Sequence, residues 1–124
     1  LMATLNDRVL DNGLTVLDTE ANRVDICSQE PASYAEATST YTLGNETSIS
    51  ISAPADASPN GRKVTLAAVS GASVTGTGTA THYAISDTGN SRLLATGSLS
   101  ASQVVTSGNT FSLTASDIRI PDPA

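Results

Sequence analysis

From Gly61 to Ala115, short stretches of alternating apolar and polar residues follow one another, each closed by glycine, serine, threonine or asparagine. A period of two lines one face of a strand with apolar side chains and leaves the other face polar. This run therefore excludes a helical bundle and specifies a small β-sheet protein. Almost none of its side chains has the chemistry of catalysis, so what such a chain offers is a surface. The core available to it is thin. Only 39% of the residues are apolar and 3% aromatic, namely Tyr34, Tyr41, Tyr83 and Phe111. Burying each aliphatic side chain contributes about 1.5–3 kcal/mol, which predicts modest stability alone and a gain from oligomerisation or docking.

One segment breaks the strand pattern. In Thr4 to Glu20, Leu5, Val9, Leu10, Leu14 and Leu17 recur near the helical period, with Asn6 or Thr4 placed to cap the start. Asn12-Gly13 favours a turn, so the reading is a short helix near Leu5–Asp11, followed either by a second turn of helix or by an irregular approach. Arg23 to Ser28 alternates as a first strand, with Val24 and Ile26 on one face and Pro31 ending it. Ser33 to Thr38 reads as a helical turn or crossing loop. Thr40–Leu43 and Thr47–Ser52 read as a strand pair divided by Gly44-Asn45, with Ile49 and Ile51 facing the core. Pro54, Pro59 and Asn60-Gly61 mark Ala53–Gly61 as a loop.

Strands are then expected over Lys63–Val69 and Ser73–Thr77, parted by Gly71, with Gly76 and Gly78 marking a bulge or a close backbone approach. Thr79–Ser86 carries Tyr83 and Ile85 on one face and Ala80, His82 and Ala84 on the other. Asp87-Thr88-Gly89-Asn90 turns it into Arg92–Thr96. A second hairpin is expected from Ala101–Thr106 and Thr110–Thr114 around Ser107-Gly108-Asn109. Asp117–Ile120 closes an edge before Pro121 and Pro123. The expected fold is all-β: one sandwich domain over residues 1–124, with a helical arm at 1–20 and about eight short antiparallel strands at 23–120.

Six basic residues against 12 acidic ones give a net charge of −6, and only Arg62-Lys63 are adjacent cations. Neither nucleic acid nor an anionic membrane finds a basic patch here. No stretch approaches the ~20 apolar residues of a membrane span. Asp7 and Arg8 stand where a secretory leader needs an apolar core, which predicts a product made in the cytoplasm. That expectation leaves the sequon Asn45-Glu46-Thr47 unused.

Any acid–base or triad chemistry must run through His82, the sole histidine. Its alanine neighbours favour a packed, hydrogen-bonded core residue instead. No Gly-x-Ser-x-Gly elbow is present. One histidine and one cysteine do not make a zinc site, and Asp87 with Asn90 around Gly89 reads as a turn before it reads as an ion site. Gly71–Gly78 lacks the lysine and following helix of a phosphate cradle. Cys27 reads as a small buried hydrophobe, and Tyr34 and Tyr41 serve either a binding face or the core. Catalytic, cofactor-binding and metal-binding residues are thus all read as none.

Two stretches carry a resemblance. The first runs Leu5-Asn6-Asp7-Arg8-Val9-Leu10-Asp11-Asn12-Gly13-Leu14, through Ile26-Cys27-Ser28, to Glu30-Pro31-Ala32-Ser33-Tyr34-Ala35-Glu36-Ala37. The second is Gly78-Thr79-Ala80-Thr81-His82-Tyr83-Ala84-Ile85 with Arg92-Leu93-Leu94-Ala95-Thr96-Gly97-Ser98-Leu99. Together they resemble small structural proteins of tailed bacteriophages and prophages, encoded among head and tail genes. The resemblance implies a virion component, not an enzyme, with no binding residues to carry over. The expected role is a capsid cement or decoration protein bound to the outer shell. A neck or tail accessory protein, or a carbohydrate- or receptor-binding module, is the alternative. Its partners would be the major capsid protein or other virion proteins, and a homo-oligomer, suspected to be a trimer. Both the N-terminal segment and the tail from Ile118 to Ala124 are placed to reach a neighbour.

Overall fold

The computed structural model describes residues 7–58 and 60–120, with side chains from residue 12 onward. The fold is all-β and sandwich-like, built of antiparallel sheets with one short helix. Two compact units form by contact, a smaller one from α1 (Asp7–Glu20), residues 50–68 and residues from 114 on, and a larger one from residues 21–49 and 69–113.

In the smaller unit, α1 packs on β4 (Arg62–Leu66) and β9 (Ser116–Ile120). A three-stranded antiparallel sheet runs in the order β3 (Ala55–Asp56), β4, β9, with Val64 opposite Ile118. The helix does not break at Asn12-Gly13. Leu14 and Leu17 beyond that point are buried, and burying two leucines outweighs the ~1 kcal/mol that a helical glycine costs. Gly13 itself faces Ile120 of β9. The expected caps Thr4 and Asn6, and Leu5, lie outside the described residues, as do Pro59, Pro121 and Pro123. The loop expected over Ala53–Gly61 holds the two residues of β3.

The larger unit is a six-stranded antiparallel sheet in the order β7-β6-β1-β2-β5-β8. Its strands are β1 (Arg23–Cys27), β2 (Thr42–Glu46), β5 (Val69–Val74), β6 (Gly78–Asp87), β7 (Arg92–Val105) and β8 (Thr110–Leu113). β1 lies at the centre, with Ile26 opposite Tyr83 on one side and Gly44 on the other. Both of its faces are buried, Val24 and Ile26 on one and Asp25 and Cys27 on the other. A π-helical turn at Glu36–Thr40 covers the second face, where Ala37 packs with Cys27 and Ala84.

Two sequence expectations fail in this sheet for one reason, long-range contact overriding a local turn signal. Gly44-Asn45 is not a turn but the middle of β2. A Cβ at Gly44 would lie 2.6 Å from the Ser73 carbonyl oxygen and 3.0 Å from the Phe111 ring, so the glycine serves a close approach between strands. Residues 47–52 consequently form no partner strand, and only Ile51 makes an isolated bridge, to Leu66. Likewise β5 runs straight through Gly71, which has φ 68° and sits at a register irregularity. Val69 opens this strand instead of ending the previous one.

A third correction concerns Ser107-Gly108-Asn109. It turns the chain as expected, but the strands on either side are not paired as a hairpin: β7 pairs with β6 and β8 with β5. They are the two edges of the sheet. Flat, edges five spacings apart would stand about 24 Å from each other, whereas the five residue steps from Val105 to Thr110 reach at most about 18 Å. The sheet must therefore curl, and it forms a half-barrel. At the closing end the Gln103 side-chain amide donates to the Ser112 carbonyl at 3.3 Å, while Gly108 N–H and the Asn109 carbonyl bond Val74 of β5 at 3.0 Å.

Candidate functional site

Four strand ends and edges position the side chains singled out by the sequence. On β1, residues 23, 25 and 27 share one face. The Arg23 guanidinium grips the Asp25 carboxylate with two bonds, Nε to Oδ1 at 2.7 Å and Nη2 to Oδ2 at 2.9 Å. The Thr42 hydroxyl donates to Asp25 Oδ2 at 2.6 Å. Asp25 is fully buried, and its hydrogen bond raises the Arg23 pKa further above its ordinary value. A buried carboxylate held by a fork and a hydroxyl is satisfied and rigid. Alternation alone hid this cluster, because it assigned Arg23 and Asp25 to an outer face. The only sequence signal was the Arg-x-Asp spacing that puts opposite charges side by side on one strand. Ser86, opposite Arg23 in the ladder, is buried, and its hydroxyl has no partner among the described residues.

Cys27 is buried on the same face, its thiol directed at the Ala37 carbonyl at 3.7 Å. Burial, more than its neighbour Asp25, pushes the thiol pKa up to about 12, so it packs as the small hydrophobe expected. His82 is half-buried opposite Cys27 and Ser98. Its Nδ1 lies 2.9 Å from the Thr81 hydroxyl, which also reaches the Ser28 carbonyl at 3.1 Å. The histidine is thus hydrogen-bonded within the sheet. Asp87 closes the β6–β7 hairpin: its Oδ2 accepts from the Asn90 side-chain amide at 2.8 Å and its Oδ1 from Gly89 N–H at 2.9 Å. These bonds, that to Asn90 first, hold its carboxyl below its ordinary value.

Tyr41 is partly buried against Cys27, Ala37 and Ala84, so it does core duty, and Tyr34 is half-buried. Gly76 and Gly78 lie against Leu43, and the Thr75 and Gly76 N–H groups both donate to its carbonyl, the close backbone approach that the sequence signalled. Asn45 of the sequon sits within β2 between Asp25 and Ser73. Among the described residues no group of three or more His, Cys, Asp or Glu is placed to hold a metal ion, and no helix is long and apolar enough to cross a membrane.

What sequence reasoning missed is the character of β7. It is one strand from Arg92 to Val105, not the separate pieces Arg92–Thr96 and Ala101–Thr106. Between the pairs Ala80–Gln103 and His82–Ser98, four residues of β7, Leu99 to Ser102, stand opposite Thr81 alone. This wide bulge divides the strand. Its second half meets β8 through Gln103, whereas Leu93–Ser98 forms an edge with no ladder on its outer side among the described residues. Beside that half lies an open depression of about 230 Å³ lined by Pro31, Ala32 and Leu93–Thr96. Val104, farther along, is 83% exposed. Comparison with protein-family models, with curated proteins and with solved structures finds no match for this chain.

Proposed function

We propose that the chain is a non-enzymatic structural protein of a tailed-phage virion, a decoration protein that docks on the outer shell through its strands. The observation that carries the non-enzymatic part is where the ionisable groups are committed. Asp25 is tied to Arg23 and Thr42, Asp56 to Arg62, Asp117 to Thr65 and Lys63, Asp87 to its own turn, and His82 to Thr81. Each of these groups secures a strand or a turn, and the one hydroxyl–imidazole contact among them, Thr81 with His82, has its hydroxyl donating to the Ser28 carbonyl, which serves the sheet and not a nucleophile. The sequence between Arg92 and Asp117, which holds β8 and all of β7 after Arg92, has no charged residue, and uncharged strand is suited to packing against other protein. The virion assignment comes from the resemblance of Leu5–Leu14, Glu30–Ala37, Gly78–Ile85 and Arg92–Leu99 to phage head and tail proteins.

A cryo-EM map of the native particle, with copies of this chain counted against the major capsid protein, tests the proposal. Copies in fixed proportion to the shell subunit support it. A small ring at one vertex moves the protein to the neck or tail. Absence from the particle removes the virion reading and returns a carbohydrate- or receptor-binding module to the front.

A further inference from the structure

The connection from β1 to β2 is tied mostly to itself. Ala32 N–H donates to Glu36 Oε1 at 2.8 Å, Glu36 N–H to the Ser33 hydroxyl at 3.2 Å and Ala37 N–H to the Ser33 carbonyl at 3.0 Å. The Thr38 hydroxyl donates to the Tyr34 carbonyl at 2.8 Å, and Tyr41 N–H closes the π-helical turn on the Glu36 carbonyl at 2.8 Å. Among the described residues, residues 29–40 make one hydrogen bond to the sheet, the long contact from the Cys27 thiol to the Ala37 carbonyl at 3.7 Å. Only Pro31 and Ala37 of this stretch are buried. Pro31 and Ala32 share with Leu93, Leu94, Ala95 and Thr96 the lining of an open depression, so that end is not packed down on β7. The base of the connection is fixed instead. Ser28 N–H donates to the Tyr41 carbonyl at 3.0 Å, and the Thr81 hydroxyl donates to the Ser28 carbonyl at 3.1 Å.

We propose that residues 29–40 are a strap that lifts off the sheet as a unit, hinged at Ser28 and Tyr41, while the six strands stay paired. Local opening costs only what it breaks. The bonds inside the strap travel with it, and the ladders from β1 to β2 and β6 end at Cys27 and are untouched. What is lost is one weak sulfur bond and the burial of Pro31 and Ala37. That is little beside the ladders and core that global unfolding breaks. Lifting uncovers the face of β1 and β6 where Ala37 packs on Cys27 and Ala84. Tyr41 and Leu93, partly buried against the same cluster, lie outside the strap and stay behind. The small side chains at this contact are what make it releasable, since stabilisation by burial scales with the apolar area removed from water. The strap controls access to a face that is shut in the resting chain, and the inference does not rest on the virion reading.

Cys27 is the only cysteine, so alkylation of the full chain by iodoacetamide, followed by mass spectrometry, reads the opening directly. In the closed chain the thiol is shielded by burial and by a pKa pushed up to about 12, so modification proceeds through the open form. At low urea, before the cooperative transition, the rate is expected to be measurable and nearly independent of urea, because lifting the strap exposes little surface. Ala37→Gly removes the buried methyl and is expected to raise that rate about fourfold. Phe111→Leu is the second variant. The Phe111 ring lies against Gly44, which pairs with Ile26, on the other face of the sheet. This substitution is expected to lower global stability and to leave the rate unchanged. Urea unfolding of each variant establishes that it folds. A thiol that stays unreactive until the chain unfolds overturns the proposal. So does a rate that carries the full urea slope of unfolding, a rate that rises in Phe111→Leu as stability falls, or a folded Ala37→Gly that reacts no faster than wild type.

Discussion

Asp25 shows how much one side chain decides. It is fully buried and anchors both Arg23 and Thr42, so Asp25→Ala leaves a guanidinium without its counter-charge and is expected to cost about 3–5 kcal/mol in urea unfolding. Replacing the pair together, Arg23→Met with Asp25→Leu, is expected to be far closer to neutral, because no charge is left stranded. Two residues along the same strand, Cys27 makes stability depend on pH from the alkaline side. Its thiol ionises at 9.0 in an exposed chain and at about 12 in the fold. The protonated form is therefore favoured by folding, and that stabilisation is complete below pH 9.0 and lost as pH rises from there towards 12. Thermal midpoints across that range should fall for the wild type and fall less for Cys27→Ala.

At the level of the element, glycines mark where strands and helix were legible and where they were not. Gly13→Ala is expected to raise stability by about 0.5–1 kcal/mol, since α1 is continuous there and the new Cβ meets Ile120 at an ordinary 3.5 Å. At Gly44 a Cβ would meet backbone at 2.6 Å, and at Gly97 it would meet the Tyr83 ring at the same distance. Both alanine variants lose stability, by about 1–3 kcal/mol. Gly44→Ala loses more, because the Ser73 carbonyl is fixed while the ring can swing, and adding Tyr83→Leu to Gly97→Ala is expected to recover part of the loss. The strands β1 and β6 and the Asp87–Asn90 turn were plain in the sequence because alternation and turn chemistry are local. Gly44 and Gly71 were misread because what they make room for, or where they sit in a ladder, is decided by residues far along the chain. The Arg23–Asp25–Thr42 cluster and the open edge of β7 were hidden for the same reason. A buried face on both sides of β1, and an edge position for β7, follow only from strand order.

For the whole molecule, acid acts through carboxylates in both units. Asp117 is held below its ordinary 3.8 by Thr65 first and then Lys63, and Asp87 by Asn90 and the turn N–H groups. Each takes up its proton less readily folded than unfolded. The stabilisation is therefore present above pH 3.8 and lost as pH falls through the lower folded value. Melting points are expected to hold down to about pH 5 and then to drop, with a shallower drop in Asp87→Asn/Asp117→Asn. The position of β1 has a consequence for how the chain comes off a ribosome. The central strand of the larger sheet is synthesised first among its six, yet one of its two neighbours, β6, starts only at Gly78. Until Asp87 has emerged, Val24, Ile26 and Cys27 have a partner strand on one side alone, so the nascent chain carries a sticky, half-paired ribbon from the completion of β2 at Glu46 until β6 is made. A chaperone that shields residues 23–27 during that interval would raise the yield of native protein without touching its final stability.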